Sequence, residues 1–288
     1  MGKKKSILLI SVGLVLFTGI AATSTTFAWF STVRNASVSY SNAKVTTEDN
    51  NLSVDFLSSR NSSMSDSVSA GELVLGGFNK VTDISGDGLS FYKPAWTPFN
   101  SAVAYDIEAV GNSIADGYFV DFTLTISRGD TGTGGMMIYL GENTSIKPMN
   151  QLLNVDVQTV KATRLAIINY DDGSSVTGEE QVKLIYAPEH NGEATYKCLK
   201  VNASSSAYGF DGYEIATLTN VKDDAFITYN TNEDAVAAGE VAIADLSETT
   251  ESEDVTVRAW LEGTDAEALN AAIGGVFTIE LDIYGLTV

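Results

Sequence analysis

The sequence is poor in the residues that stabilise many exported proteins and carry much of hydrolytic chemistry. Among 288 residues there is one cysteine, Cys198. No internal disulfide can form, so stability must come from the core and the hydrogen-bonded backbone. There is also one histidine, His190. A zinc-protease HExxH site needs two histidines a helical turn apart, and that chemistry is excluded. A G-x-S-x-G nucleophile elbow and a P-loop are likewise missing. His190 and Cys198 flank a turn at unmatched positions with no oxyanion site nearby, so Cys198 reads as a half-buried strand residue. Basic residues are few: 17 against 37 acidic, a formal net charge of −20. A surface this acidic repels nucleic acid and anionic lipid, and it suits solubility, cation binding or life at a cell surface.

Long apolar runs are also scarce, with one exception. Lys3, Lys4 and Lys5 precede an apolar stretch from Ile7 to Ala22, followed by a small polar segment ending Thr26-Phe27-Ala28 and then by Trp29-Phe30. A basic start, an apolar middle and small residues two apart form the pattern of a secretory signal, with cleavage expected between Ala28 and Trp29. The alternative is a permanent anchor: the apolar stretch is shorter than a span of about 20 residues, but extending it to Ala28 makes it long enough. Either way the remaining chain lies outside the cytoplasm, secreted or on the cell surface, and touches membrane only through this segment. The secretion machinery and a signal peptidase are the partners it implies. No lipobox cysteine follows, and no LPxTG-like sorting signal ends the chain. The expected division is a signal or membrane helix over 1–28 and one domain over 29–288, since no repeat or linker is visible.

Past the signal the pattern is that of strands. Val38 and Tyr40 alternate with serines, as do Leu52, Val54 and Phe56 with polar residues. Residues 58–71 are serine-rich and read as a loop or mobile insertion. Phe91 to Phe99 reads as a packed aromatic loop, because Pro94 and Pro98 oppose helix and ladder pairing. The clearest strand holds Tyr118, Val120, Phe122, Leu124 and Ile126. Residues 146–156 offer a helical turn that Pro148 weakens. A hairpin is expected from Val160–Asp171 and Val182–Tyr186, and another around Asn191-Gly192. Ala225–Tyr229 and Val241–Ile243 are candidate short strands, and the run from Glu248 to Asp254 reads as a solvated acidic loop. Val255, Val257, Ala259 and Leu261 then form a strand. Thr264 with Glu267 predicts a capped short helix to about Ile273, and Phe277, Ile279, Leu281 and Ile283 close the chain with Glu280 and Asp282 facing outward. The expected fold is all-β, an antiparallel jelly-roll-like sandwich with one short helix near the C-terminus.

Two local patterns have chemical readings. Asp83-x-Ser85-x-Asp87-Gly88 spaces oxygen atoms as calcium loops do. Its twelfth position is Pro94, which excludes an EF-hand and leaves a turn-borne calcium site or a plain solvated turn. No other cofactor is indicated. Arg128-Gly129-Asp130 is an integrin-type adhesion tripeptide on a loop, or a chance occurrence of one. Sequons at Asn35, Asn61, Asn143 and Asn202 matter only in a eukaryotic host, which the signal does not suggest.

The segment TSTTFAWFSTV resembles the junction processed by SipW-type signal peptidases, and so is similar to the TasA/camelysin family of extracellular fibre proteins from Gram-positive bacteria. Arg258–Asp265 (RAWLEGTD) followed by GGVFTIELDI also looks like the ending of secreted proteins with that signal. The resemblance implies a jelly-roll sandwich that self-associates into fibres or biofilm matrix when an N-terminal segment pairs as a strand in a neighbour. The matching stretch is residues 29–45, carrying Trp29, Phe30, Val33, Val38 and Tyr40. Peptidase activity ascribed to camelysin-like members is not carried over, for lack of zinc ligands. A monomeric adhesin, or a calcium- or carbohydrate-binding module using Tyr92 and Trp96, is the competing expectation.

Overall fold

A computed structural model describes residues 35–45 and 52–288, apart from 62–64, 70–71, 77, 96–105, 112, 129–133, 171–177, 189–196, 208–209, 248–249, 266–267 and 269–273. The expected export segment, the Ala28–Trp29 junction, Phe30, Val33, Trp96, Gly129, Asp130, His190 and the turn expected at Asn191-Gly192 lie outside the described residues. So does most of the helix expected after Thr264.

Within them the protein is all-β in character with two short helices. The first half contains β1 (Asn35–Val45), β2 (Leu52–Ser59), β3 (Ser65–Ser69), β4 (Glu72–Gly76), β5 (Phe78–Gly86), β6 (Phe91–Ala95), β7 (Asp106–Val110), β8 (Val120–Arg128), β9 (Met136–Leu140) and β10 (Ser145–Pro148). The second half contains α1 (Asn154–Ala162), β11 (Thr163–Tyr170), β12 (Glu180–Tyr186), β13 (Lys197–Ala207), β14 (Phe210–Thr217) and β15 (Val221–Lys222). It ends with α2 (Asn232–Ala237), β16 (Ala244–Leu246), β17 (Ser252–Glu262) and β18 (Val276–Thr287).

The strands form two leaves that share β5. One leaf runs β16-β9-β18-β1-β5, with β10 also beside β18 and β4 beside β1; the other runs β15-β12-β11-β17-β5, with β8 beside β17 and β2 beside β8. Strand β5 crosses between them: Phe78–Thr82 pair with β1, Asp83 and Ile84 with β17, and Ser85 and Gly86 with β6. Apolar residues spaced two apart fill the space between leaves. Phe277, Ile279, Leu281 and Ile283 of β18 share one core with Phe122, Leu124 and Ile126 of β8 and with Val255 and Val257 of β17. This alternation is the sheet's own period of two. The second leaf is buried on its other face as well, by Ile84, Phe91, Phe119, Ala166, Ile168, Cys198 and Trp260. The hairpin β13–β14 forms a separate ribbon.

Several expectations are corrected. The pairing is not purely antiparallel: β1 with β18, β17 with β5 and β12 with β15 are parallel. The chain's first and last described strands can run parallel because nearly the whole fold serves as their crossover. The serine-rich stretch contains β3, which pairs antiparallel with β4 just beyond it. Pro94 lies inside β6, opposite Ile107 of β7. It is tolerated because the ladder to β5 ends at Tyr92, leaving the other edge at Pro94 unpaired. Helix α1 takes Val160 and Ala162, so the predicted hairpin starts at β11.

Helix α2 also went unpredicted, although Thr231 caps it by accepting from the Asp234 backbone N–H at 3.2 Å. The segment 225–229 is not strand, and the expected strand at 241–243 lies at Ala244–Leu246. Glu253 and Asp254 belong to buried β17 rather than to a solvated loop, and Asp282, on the outer face of β18, is buried rather than solvated, with the Asn143 side-chain amide donating to it at 2.9 Å. Cys198 is fully buried rather than half-buried.

Candidate functional site

Strand β17 sorts its side chains cleanly. Val255, Val257, Ala259 and Leu261 enter the core between leaves, while Thr256, Arg258, Trp260 and Glu262 turn to the opposite face. Its antiparallel neighbour β8 places Asp121 opposite Arg258 and Thr123 opposite Thr256. The polar face of the clearest predicted strand is therefore buried, not solvated.

Arg258 is the centre of this face. Its Nε donates to Asp121 Oδ2 at 2.6 Å, Nη1 to the Gly88 carbonyl at 2.6 Å, and Nη2 to Glu180 Oε1 at 3.1 Å. Arg60 extends these three charged groups to a tetrad, donating to Glu180 at 2.7 Å and lying 3.6 Å from Asp121. The guanidinium also sits over the Phe119 ring, 5.4 Å from its centroid. Burial by itself would lower the Arg258 pKa, but the charges of Asp121 and Glu180 outweigh it and raise it. Burial pushes Glu180 up, yet hydrogen bonds from Arg258 and Arg60 and their charges hold it below the ordinary glutamate range. Gly88 reaches the tetrad through a positive φ of 92°, and a β-carbon there would press on Ala166 and Val182 at 3.0 and 3.2 Å.

A second buried acid, Glu262, ends the same strand. Trp260 Nε1 donates to it at 3.1 Å and the Thr264 hydroxyl at 2.7 Å. Its complete burial nonetheless raises its pKa. Arg164, also buried, pairs with Asp265. The segment Arg258–Asp265 thus supplies most of the interior polar contacts of this face.

Beside it lies a cavity of about 200 Å³, bordered by Asp87, Leu89, Val182, Lys200, Leu218 and Asn220 among others. Asp87 Oδ2 and Lys200 Nζ, 2.9 Å apart, form an ion pair at its wall.

The predicted site residues are not gathered in one place. Asp83 lies in β5, opposite Leu261. The Ser85 hydroxyl is buried and accepts from the Leu199 backbone N–H at 2.7 Å. Asp87 Oδ1 caps its own turn, accepting from Leu89 and Ser90 at 3.1 and 2.9 Å, while Oδ2 holds Lys200. The Ser85 and Asp87 oxygens thus serve different backbone and ionic partners. No group of three metal-ligating side chains occurs among the described residues. Arg128 ends β8 and its guanidinium donates to the Gly134 carbonyl, so it points back along the loop. Phe91 is buried against Phe119 and Trp260, and Tyr92 packs edge-on to Tyr213. Val38 and Tyr40 lie in β1, opposite Phe277 and Ile279 of β18.

Reading by sequence missed the Arg258 tetrad. The available signal was opposite charges, Asp121 and Arg258, on the polar faces of the two most regular strands; only their pairing brings them together. Cys198 gives a direct check of this interior. Burial and the nearby charges of Glu262 and Asp87 push its thiol up to about 12. Folded protein is therefore expected to leave Ellman's reagent unreacted at mildly alkaline pH and to release one equivalent of thiolate on addition of urea. Rapid labelling of the native state would contradict this burial.

Among the described residues no helix is long and apolar enough to cross a membrane. The architecture defines an all-β, sandwich-like protein with a buried ionic face. No family model, curated protein or solved structure matches the chain.

Proposed function

We propose that the protein is a non-enzymatic structural component of the cell surface or extracellular matrix. In this reading it is a jelly-roll-like sandwich whose copies join when the N-terminal segment 29–45 of one pairs in the sheet of the next. The observation that carries the reading is the seat of β1. It is the first described strand, yet it lies inside its leaf, parallel to β18 through Ser37–Val45 and antiparallel to β5 through Asn35–Ser39. An interior strand near a chain terminus can leave its slot without unthreading another element. The same slot then accepts an identical strand from a second copy, since backbone pairing and register are the same in cis and in trans. The export signal supports an extracellular setting, and the acidic surface favours solubility before assembly.

The test is assembly of the mature chain. Protein beginning at Trp29 is expected to form filaments, and a variant lacking residues 29–45 to remain soluble and bind a synthetic Asn35–Val45 peptide. Filaments of unchanged morphology from the deletion variant would reject strand exchange.

A monomeric binding module is the second reading, favoured by the cavity beside Asp87 and Lys200. It predicts heat on calcium titration or a hit on a glycan array; silence in both disfavours it.

A further inference from the structure

The turn between β10 and α1 presents an apolar surface on a rigid frame. Met149, Leu152 and Leu153 are 53%, 93% and 48% exposed. From Pro148 to Val155 the sequence carries no charge, in a chain whose net charge is −20. The turn is held tightly. The buried Asp156 carboxylate accepts from the backbone N–H of Asn150 at 3.0 Å and of Val276 at 2.9 Å. Asn150 closes the loop by accepting at its side chain from Leu152 N–H and at its carbonyl from Leu153 N–H, each at 3.0 Å. Met149 N–H in turn donates to the Val276 carbonyl at 3.0 Å. Gly275 permits this packing, because a β-carbon there would meet Thr159 Oγ1 at 2.0 Å. These leucines are therefore fixed outward on a frame that gives them no route to the core.

Their position relative to the N-terminus names the occupant. Across β18, Ser37 of β1 is level with Val276 on one side and Pro148 of β10 with Phe277 on the other. With strands about 4.8 Å apart, the turn lies roughly 10 Å from the point where the chain enters β1. The apolar stretch Ile7–Ala22 is joined to β1 by residues 23–34. That linker spans at most about 40 Å when fully extended. A body tethered so closely keeps its entry end near any bilayer holding the stretch, and a weak second contact is then strengthened by effective concentration.

We propose that Met149, Leu152 and Leu153 insert into the membrane interface and orient the body while its N-terminal segment occupies the bilayer. This rests on the cell-surface form of the reading above, in which the apolar N-terminal segment stays in the bilayer as a permanent anchor and is not cleaved after Ala28. An uncharged turn of this acidic protein approaches lipid without the repulsion its acidic surface meets, and a rigid apolar tip loses little conformational entropy on insertion.

The test uses the full chain in vesicles of equimolar phosphatidylcholine and phosphatidylglycerol. Leu152→Cys is labelled with an environment-sensitive fluorophore, which buried Cys198 does not take up. Val236→Cys is the control, since it is exposed on α2, which bonds through Asn232 to Tyr139, opposite Tyr284 of β18. Tyr284 is eight residues along β18 from Val276, or roughly 26 Å. Lipids carrying a shallow quencher are expected to remove most of the Leu152 emission, to spare Val236, and to lose that effect in a Leu153→Asp background. Flotation with vesicles but no quenching at position 152 overturns the proposal and leaves the attachment intact. Failure to float overturns both. Protection of the label by rising protein concentration without lipid assigns the turn to a second copy and also overturns it.

Discussion

Replacing Arg258 by methionine is expected to cost about 3–5 kcal/mol of folding stability, the range for removing one partner of a buried ion pair. The side chain lost is fully buried, and it leaves Asp121, itself 2% exposed, without its closest countercharge. Glu180 loses two donors, and the Gly88 carbonyl loses one. Lysine does not rescue the site, because a point charge cannot donate along three directions to Asp121, Gly88 and Glu180. Urea unfolding measures the loss.

The pH dependence identifies its origin. Arg258 and Arg60 hold Glu180 below its ordinary value of 4.5, against the opposing effect of burial. A depressed carboxylate contributes stability that is present above 4.5 and disappears as pH falls through the folded value. The Arg258→Met penalty should therefore shrink in acid, where Glu180 is protonated. Adding Asp121→Asn should recover part of the loss at neutral pH. A penalty that is equal in acid and at neutrality would mean that packing, not charge, holds Arg258 in place. Glu253 and Glu262 work in the opposite sense. Burial raises both, so their contribution is greatest below the ordinary range and declines as pH rises.

Val38→Pro is the second large effect, expected at about 3 kcal/mol or more. Val38 is opposite Phe277 on one side and Asn79 on the other. Its backbone N–H therefore faces a partner strand whichever way it points, and the ring removes that donor from an interior ladder. Pro94 is the internal comparison, since its unpaired edge lets a proline sit inside β6. The variant should lose thermal stability, and its mature form should not polymerise if β1 is also the strand exchanged. Unchanged melting would show that β1 contributes little to closing its leaf.

How far the fold was legible depended on range. Strands β8, β17 and β18 were readable because burial between leaves imposes a strict period of two over many residues. Pro94 misled because proline forbids pairing on one edge only, and the free edge is set by where β5 stops. Helix α2 is short, only six residues, yet Thr231 and Asp234 were a usable capping signal. The acidic residues of β17 and β18 misled for a different reason. A carboxylate reads as solvent-facing until its donors are known, and the side-chain donors Asn169 to Glu253 and Asn143 to Asp282 lie over 80 and over 130 residues away.

The sequence by itself determined the β character, the lack of an internal disulfide and of an HExxH motif, and a basic, apolar and small-residue pattern that reads as an export signal. These follow from composition and short-range periodicity, which need no knowledge of neighbours. Only the tertiary structure decided that Arg258 meets Asp121 and Glu180, that β1 runs beside β18, and that Leu152 is left outside. Each depends on which strands become adjacent, and adjacency is set by burial summed over the whole chain, not by any local stretch of it.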